Sequence, residues 1–218
     1  MAQIARAYAV MGDISKAFRI TEKIINDYDG PGLRGHPKAY ALQAIAEASV
    51  RLEEKEKAAQ LLSRALSLVE GIDGEEFKAK ALQAIAEAYA KLGEKEKAAQ
   101  LLSRALSLAE GIIGTEFKVT ALKAIAEAYA KLGEKEKATQ LLTQALSAAE
   151  EFGLEDRKAE VLRAIAETYA KLGKFRLSRT SAVTIPSEAE KAKTLALILE
   201  IWAKSKNQSL ADEVWRPE

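Results

Sequence analysis

The chain has 218 residues, with 33 basic and 32 acidic side chains, one histidine, no cysteine and 48% apolar content. Nearly cancelling charge gives no basic stripe for nucleic acid and no polybasic arm for a membrane surface, and no apolar run reaches the roughly 18 residues a membrane span needs. Absence of cysteine removes disulfides, thiolate metal sites and cysteine nucleophiles; with an N-terminus (MAQIARAYAVMGD) that reads as an amphipathic helix and not a signal peptide, the expected location is cytoplasmic.

In chain order, residues 1–24 read as a helical unit entered partway through its first helix, with Tyr8, Gly12 and Ala17 in register. The glycines and prolines of Asp29 to Pro37 predict a loop. From residue 38 the chain repeats itself. ALQAIAEASVRLEEKEKAAQLLSRALSLVE (41–70) returns as ALQAIAEAYAKLGEKEKAAQLLSRALSLAE (81–110) and as ALKAIAEAYAKLGEKEKATQLLTQALSAAE (121–150), a period of forty residues. A fixed period of this length marks a stacked-repeat architecture.

In the unit 78–117, Leu82, Ile85, Ala86, Tyr89 and Leu92 make one apolar helical stripe, and Ala98, Leu101, Leu102, Ala105 and Ala109 make a second. Gly93 between them suits the left-handed residue that ends a helix, so each unit is predicted to be an antiparallel helical hairpin. Glu110 to Gly114 reads as the connector to the next unit. The unit starting at Lys158 loses register after Gly173, and KFRLSRTSAVTIP predicts a shorter or distorted second helix. Ser187 and Glu190 have capping-box spacing and should start a last first-type helix, with Leu199 at the small-alanine place and Trp202 at the tyrosine place. Residues 209–215 read as the start of one more second helix, with Ala211 in register. The expected units are 1–37, 38–77, 78–117, 118–157, 158–190 and a partial 191–218, all in one array. Neither end is a clean polar cap, which fits a piece of a longer protein or a natural boundary with modified end repeats.

Small residues recur at fixed places: Ala5, Ala46, Ala86, Ala126 and Ala166 in one column, Ala17, Ala58, Ala98 and Ala138 in another. They let helix backbones approach while Leu, Ile and Tyr fill the space beside them. This combination, with Leu82, Ile85-Ala86, Tyr89, Gly93, Ala98, Leu102 and Ala105 in one unit and its recurrence around Tyr129 and Tyr169, resembles the tetratricopeptide repeat family over nearly the whole chain. Two departures are a period about six residues longer than the family's, placed in the helices or the connector, and no proline closing the regular units. The resemblance implies an all-α, right-handed superhelical array of helix-turn-helix repeats whose first helices line a concave face. Matching positions on that face are Gln43, Glu47, Lys80, Gln83, Glu87, Lys91, Lys123, Glu127, Lys131, Arg163, Glu167 and Lys171.

The column Glu47, Glu87, Glu127, Glu167 and Glu200 is followed four residues later by Arg51, Lys91, Lys131, Lys171 and Lys204. These read either as solvated i,i+4 pairs, each contributing about 0.2–0.5 kcal/mol, or as a ligand surface. Family members that clamp the acidic C-terminus of chaperones use lysines, asparagines and an arginine on their first helices. Here Ala44, Ala84, Ala124 and the glutamates stand at the candidate places, so that clamp is absent. Tyr89, Tyr129 and Tyr169 share the apolar register and are expected in the core, not as a stacking ladder for bases. The EKEKA segments read as solvated charge runs at second-helix starts. His36 has no partner at a telling spacing, and no phosphate loop, metal cluster or nucleophile motif occurs. The expectation is a non-catalytic protein-protein interaction scaffold without cofactor, holding a partner peptide or helix in the groove and binding neither nucleic acid nor membrane. The alternative is a self-associating, homo-oligomeric or sensor segment of a larger signalling protein, since near-identical repeats can stack or swap between copies.

Glu53 stands where other units have Gly12, Gly93, Gly133 and Gly173. If its turn is left-handed too, Glu53→Gly raises stability by about 1 kcal/mol; an unchanged or lower urea midpoint means the turn is built differently.

Overall fold

The structure is a computed structural model that describes residues 2–27, 36–51, 55–151 and 155–205. The Glu53 turn, most of the 29–37 loop and the 209–215 helix of the sequence reading lie outside those residues. The described residues form eleven α-helices, a short 3-10 turn and no strand. The chain divides into two compact units, Met1–Ile112 and Ile113–Glu218.

The first unit contains α1 (Ala2–Val10), α2 (Ile14–Asp27), α3 (His36–Ser49), α4 (Lys55–Leu68), the 3-10 turn Val69–Gly71, α5 (Glu75–Leu92) and α6 (Lys95–Gly111). Consecutive helices pack as the pairs α1/α2, α3/α4 and α5/α6, and the first helices α1, α3 and α5 also pack side by side. The second unit contains α7 (Thr115–Leu132), α8 (Lys135–Ala149), α9 (Glu155–Lys171), α10 (Phe175–Val183) and α11 (Glu188–Lys204). Here α7/α8 and α9/α10 pair, α9 also packs against α7, and α11 packs on α9 and α10.

The turn glycines make the hairpins. Gly93 has φ 93° and ψ 0°, Gly133 has φ 91° and ψ 0°, and Gly12 and Gly173 also have positive φ. At Gly93 the amide donates to Ala90 O (3.1 Å) and the next amide, of Glu94, donates to Tyr89 O (3.0 Å). This is the Schellman arrangement, which satisfies carbonyls that the helix end would orphan. The same two bonds recur at Gly12, Gly133 and Gly173. Two residues then separate α5 from α6, which forces the chain back antiparallel.

Both alanine columns are buried at 0% exposure: Ala5, Ala46, Ala86, Ala126 and Ala166, and Ala17, Ala58, Ala98 and Ala138. The second column continues past the point where the sequence register breaks. Its next position is Ser178, also buried, whose hydroxyl donates to Ala166 O at 2.6 Å. A small polar side chain therefore fits the same close contact by supplying its own partner. α10 has 9 residues, against 15 in α8 and 17 in α6. At its end, Ser187 caps α11 by accepting from the Glu190 amide at 3.4 Å.

Two features differ from the sequence reading. His36 and Pro37 are not loop residues; they open α3, because proline's fixed φ and missing N–H are harmless in a first helical turn. Gly111 is not in the connector, because α6 runs through it. The extra length of the repeat lies in the helices, with 18 residues in α5 and 17 in α6.

Lys38 is an unexpected core residue, only 4% exposed. Its ammonium donates to Gly71 O at 2.9 Å and lies 3.8 Å from the Asp73 carboxylate, closing the end of the 3-10 turn with a cation. Lys38→Met keeps the buried stem and leaves Gly71 O without this donor. The expected loss is about 1–3 kcal/mol, read from the urea midpoint; a loss below about 0.5 kcal/mol would show that water replaces the lysine fully.

Candidate functional site, a polar notch between first helices

The first helices use one face for packing and leave another open. On α5, Leu82, Ile85, Ala86 and Tyr89 are buried, while Gln83, Ala84 and Glu87 are only partly covered. Side by side, α3 and α5 form an open notch of about 80 Å³. Gln43, Glu47, Lys80, Gln83, Glu87 and Lys91 line it, with Val50, Ala84 and Ala88 as its apolar part. All six sequence-predicted binding residues of this unit therefore meet in one place.

Inside the notch each carboxylate is held by an amide from one turn earlier. Gln43 Nε2 donates to Glu47 Oε1 (3.0 Å) and Gln83 Nε2 donates to Glu87 Oε1 (2.8 Å). The Lys80 ammonium sits 4.0 Å from the centre of the Tyr40 ring, a cation–π contact. Gln43 Oε1 is buried with no hydrogen-bond partner.

The other six predicted residues, Lys123, Glu127, Lys131, Arg163, Glu167 and Lys171, belong to α7 and α9 of the second unit. Lys123 Nζ lies 3.5 Å from Glu127 Oε1, and Thr168 Oγ1 is 3.1 Å from the same oxygen. Arg163 lies near Glu190 of α11, whose carboxyl is held below the usual carboxylate range chiefly by its hydrogen bond to Lys193, with Arg163 adding to it. The forward pair expected along the glutamate column forms at the last position, where Lys204 Nζ meets Glu200 Oε1 at 2.6 Å and lowers that carboxyl's pKa. Glu47, Glu87 and Glu127 have partners four residues earlier, Gln43, Gln83 and Lys123.

Tyr89, Tyr129 and Tyr169 are core residues, 0–1% exposed. The sequence reading missed the lysines that sit over two of these rings and over that of Tyr8. Lys97 lies 4.4 Å from the Tyr89 ring centre, Lys137 4.8 Å from that of Tyr129, and Lys16 5.2 Å from that of Tyr8. The constant spacing of eight residues from tyrosine to lysine was the available signal, and it gives Lys97 and Lys137 of the EKEKA segments 94–98 and 134–138 a packing role. Among the described residues no group of three or more His, Cys, Asp or Glu could hold a metal ion, and no helix is long and apolar enough to cross a membrane.

Residues 79–111 and 121–155 each match a tetratricopeptide repeat family model. Two crystal structures of the nearly identical TPR-like repeats of a Podosopora anserina kinesin light chain, the second a variant of the first, share the fold. They are 18% and 17% identical, cover 95% and 94% of both chains, and each has a TM-score of 0.52. At that identity the likeness is one of fold. No curated protein sequence matches the chain. Residues 79–111 and 121–155 are thus tetratricopeptide repeats, and the other described helix pairs keep the same register of buried small residues, with turn glycines at Gly12 and Gly173.

Burial raises the pKa of the Tyr129 phenol above its ordinary 10.0, with the nearby Glu134 charge adding to it, and burial likewise raises that of Tyr169. Both therefore stabilise the fold fully below pH about 10 and lose that contribution as pH rises through their folded-state values. Ultraviolet titration should show a late-ionising component that Tyr129→Phe and Tyr169→Phe each reduce, with stability falling over the same interval. Ionisation of Tyr129 and Tyr169 at the ordinary phenol value would contradict their place in the core.

Proposed function

We propose that the chain is a non-catalytic, cytoplasmic interaction scaffold that holds a peptide or helix of a partner protein against its first helices. The observation that carries this reading is the notch: two successive first helices bring amides, carboxylates and lysines into one open cleft while their other faces are consumed by packing. Tetratricopeptide repeats generally serve protein-protein contact, and in the second unit the predicted residues of α7 and α9 place polar groups on the same class of helix. A mixed-charge surface fits a partner of alternating charge, bound more weakly as salt rises.

The test is affinity capture from source lysate, read by mass spectrometry, with Glu47, Glu87 and Glu127 all reversed to Lys in a parallel bait. Loss of the captured protein by the reversed bait, with circular dichroism unchanged, is the expected outcome. Capture of the chain's own parent, equally by both baits, would replace this reading by self-assembly.

A further inference from the structure

The two units carry the same groove position with different chemistry. In the second unit Glu127 is served from within the chain: the Lys123 ammonium approaches one carboxylate oxygen to 3.5 Å, and the Thr168 hydroxyl, whose proton is shared with Ala164 O at 2.8 Å, lies 3.1 Å from the same oxygen. In the first unit the corresponding carboxylate is that of Glu47. The position of Lys123 is held by Gln43, a neutral donor at 3.0 Å, and the position of Thr168 is held by Ala88, which has no hydroxyl. The space the threonine would take is part of the notch.

We infer that the α3/α5 notch is a receptor for one basic side chain, lysine or arginine, of the partner peptide, a reading that rests on the scaffold function proposed above. The incoming cation takes the role that Lys123 plays in the second unit. Val50, Ala84 and Ala88 suit its aliphatic stem. The Glu47 carboxylate accepts its N–H groups and supplies the countercharge, and the Gln43 amide that donates to Glu47 Oε1 reports its arrival. The notch is roomy enough, since a single water takes only roughly 10–15 Å³ of such space. Lys80 would compete for the carboxylates, and the Tyr40 ring 4.0 Å away gives its ammonium another seat.

The experiment uses the full chain labelled with nitrogen-15 and carbon-13. It is titrated with the Nα-acetyl, N-methylamide forms of arginine and lysine, and with those of their uncharged counterparts citrulline and Nε-acetyl-lysine. The cationic probes should shift the Gln43 side-chain amide and the Ala88 methyl saturably, and the uncharged probes should bind about tenfold more weakly, the difference expected for one charge-assisted contact. Two variants check the geometry. Ala88→Thr copies the side chain that the second unit accommodates at this register and should abolish the Gln43 response. Tyr40→Leu, at a 38% exposed position, frees Lys80 to compete and should weaken the cations several-fold. Equal response to charged and uncharged probes, or no response at Gln43, overturns the inference. If lysate capture still depends on the three glutamates while these probes fail, the cation receptor falls and the scaffold stands. If capture is insensitive to those glutamates, the scaffold reading falls with it.

Discussion

Close approach of helices at the alanine columns is the constraint on which the rest of the structure depends. At Ala86 and Ala98, and at their counterparts in the other units, the side chain ends at Cβ and is wholly buried. Helix axes can then come near enough for Leu82, Ile85, Tyr89 and Leu102 to interdigitate at interior density. A longer side chain at such a point has nowhere to go without moving a backbone. The left-handed glycines follow from the same constraint. Two helices that touch along their length need a turn of only two residues, and the Schellman bonds at Gly93 and Gly133 give that turn without leaving carbonyls unpaired.

This economy explains how the fifth repeat, 158–190, tolerates so different a second helix. Residues 174–186 have lost the alanine-leucine pattern, yet Phe175, Ser178, Ala182 and Ile185 are buried. What persists is the size of the side chain at the close contact, not its apolar character. Ser178 fits because its hydroxyl finds Ala166 O, so burial leaves no unpaired group. A pattern search keyed to Ala and Leu sees a break there, whereas the packing sees a substitution of equal volume.

Much of the fold was legible because it is local and repeated. Periodic stripes, a glycine at each turn and alanines in register each state the same hairpin, and agreement across units strengthens every one of them. The site was legible as a list of outward positions, since a residue beside the packed stripe must face out. Its interior wiring was not. Whether Glu47 bonds to Arg51 ahead or Gln43 behind depends on side-chain geometry that spacing alone leaves open, and the structure chooses Gln43. Nor does composition show that a lysine such as Lys38 is drawn into the core, because the carbonyl it caps lies 33 residues away. The His36-Pro37 start of α3 was misread for a related reason: proline signals a loop and a first helical turn equally well.

The separation of faces also bears on how such repeats diverge. On one helix, Ala86 and Tyr89 are fully buried, while Gln83 and Glu87 lie partly open. Changes at the outward positions therefore carry small stability penalties and can accumulate without disturbing the array. The replacement of Gln43 by Lys123 and of Ala88 by Thr168 between units is a change of this kind. It leaves the alanine columns and turn glycines untouched and changes what meets the carboxylate: an amide at Glu47, an ammonium and a hydroxyl at Glu127. Near-identity of sequence thus hides a difference in what the two units offer to a ligand. The difference is concentrated where the fold exerts least control, which is where recognition has to be specified.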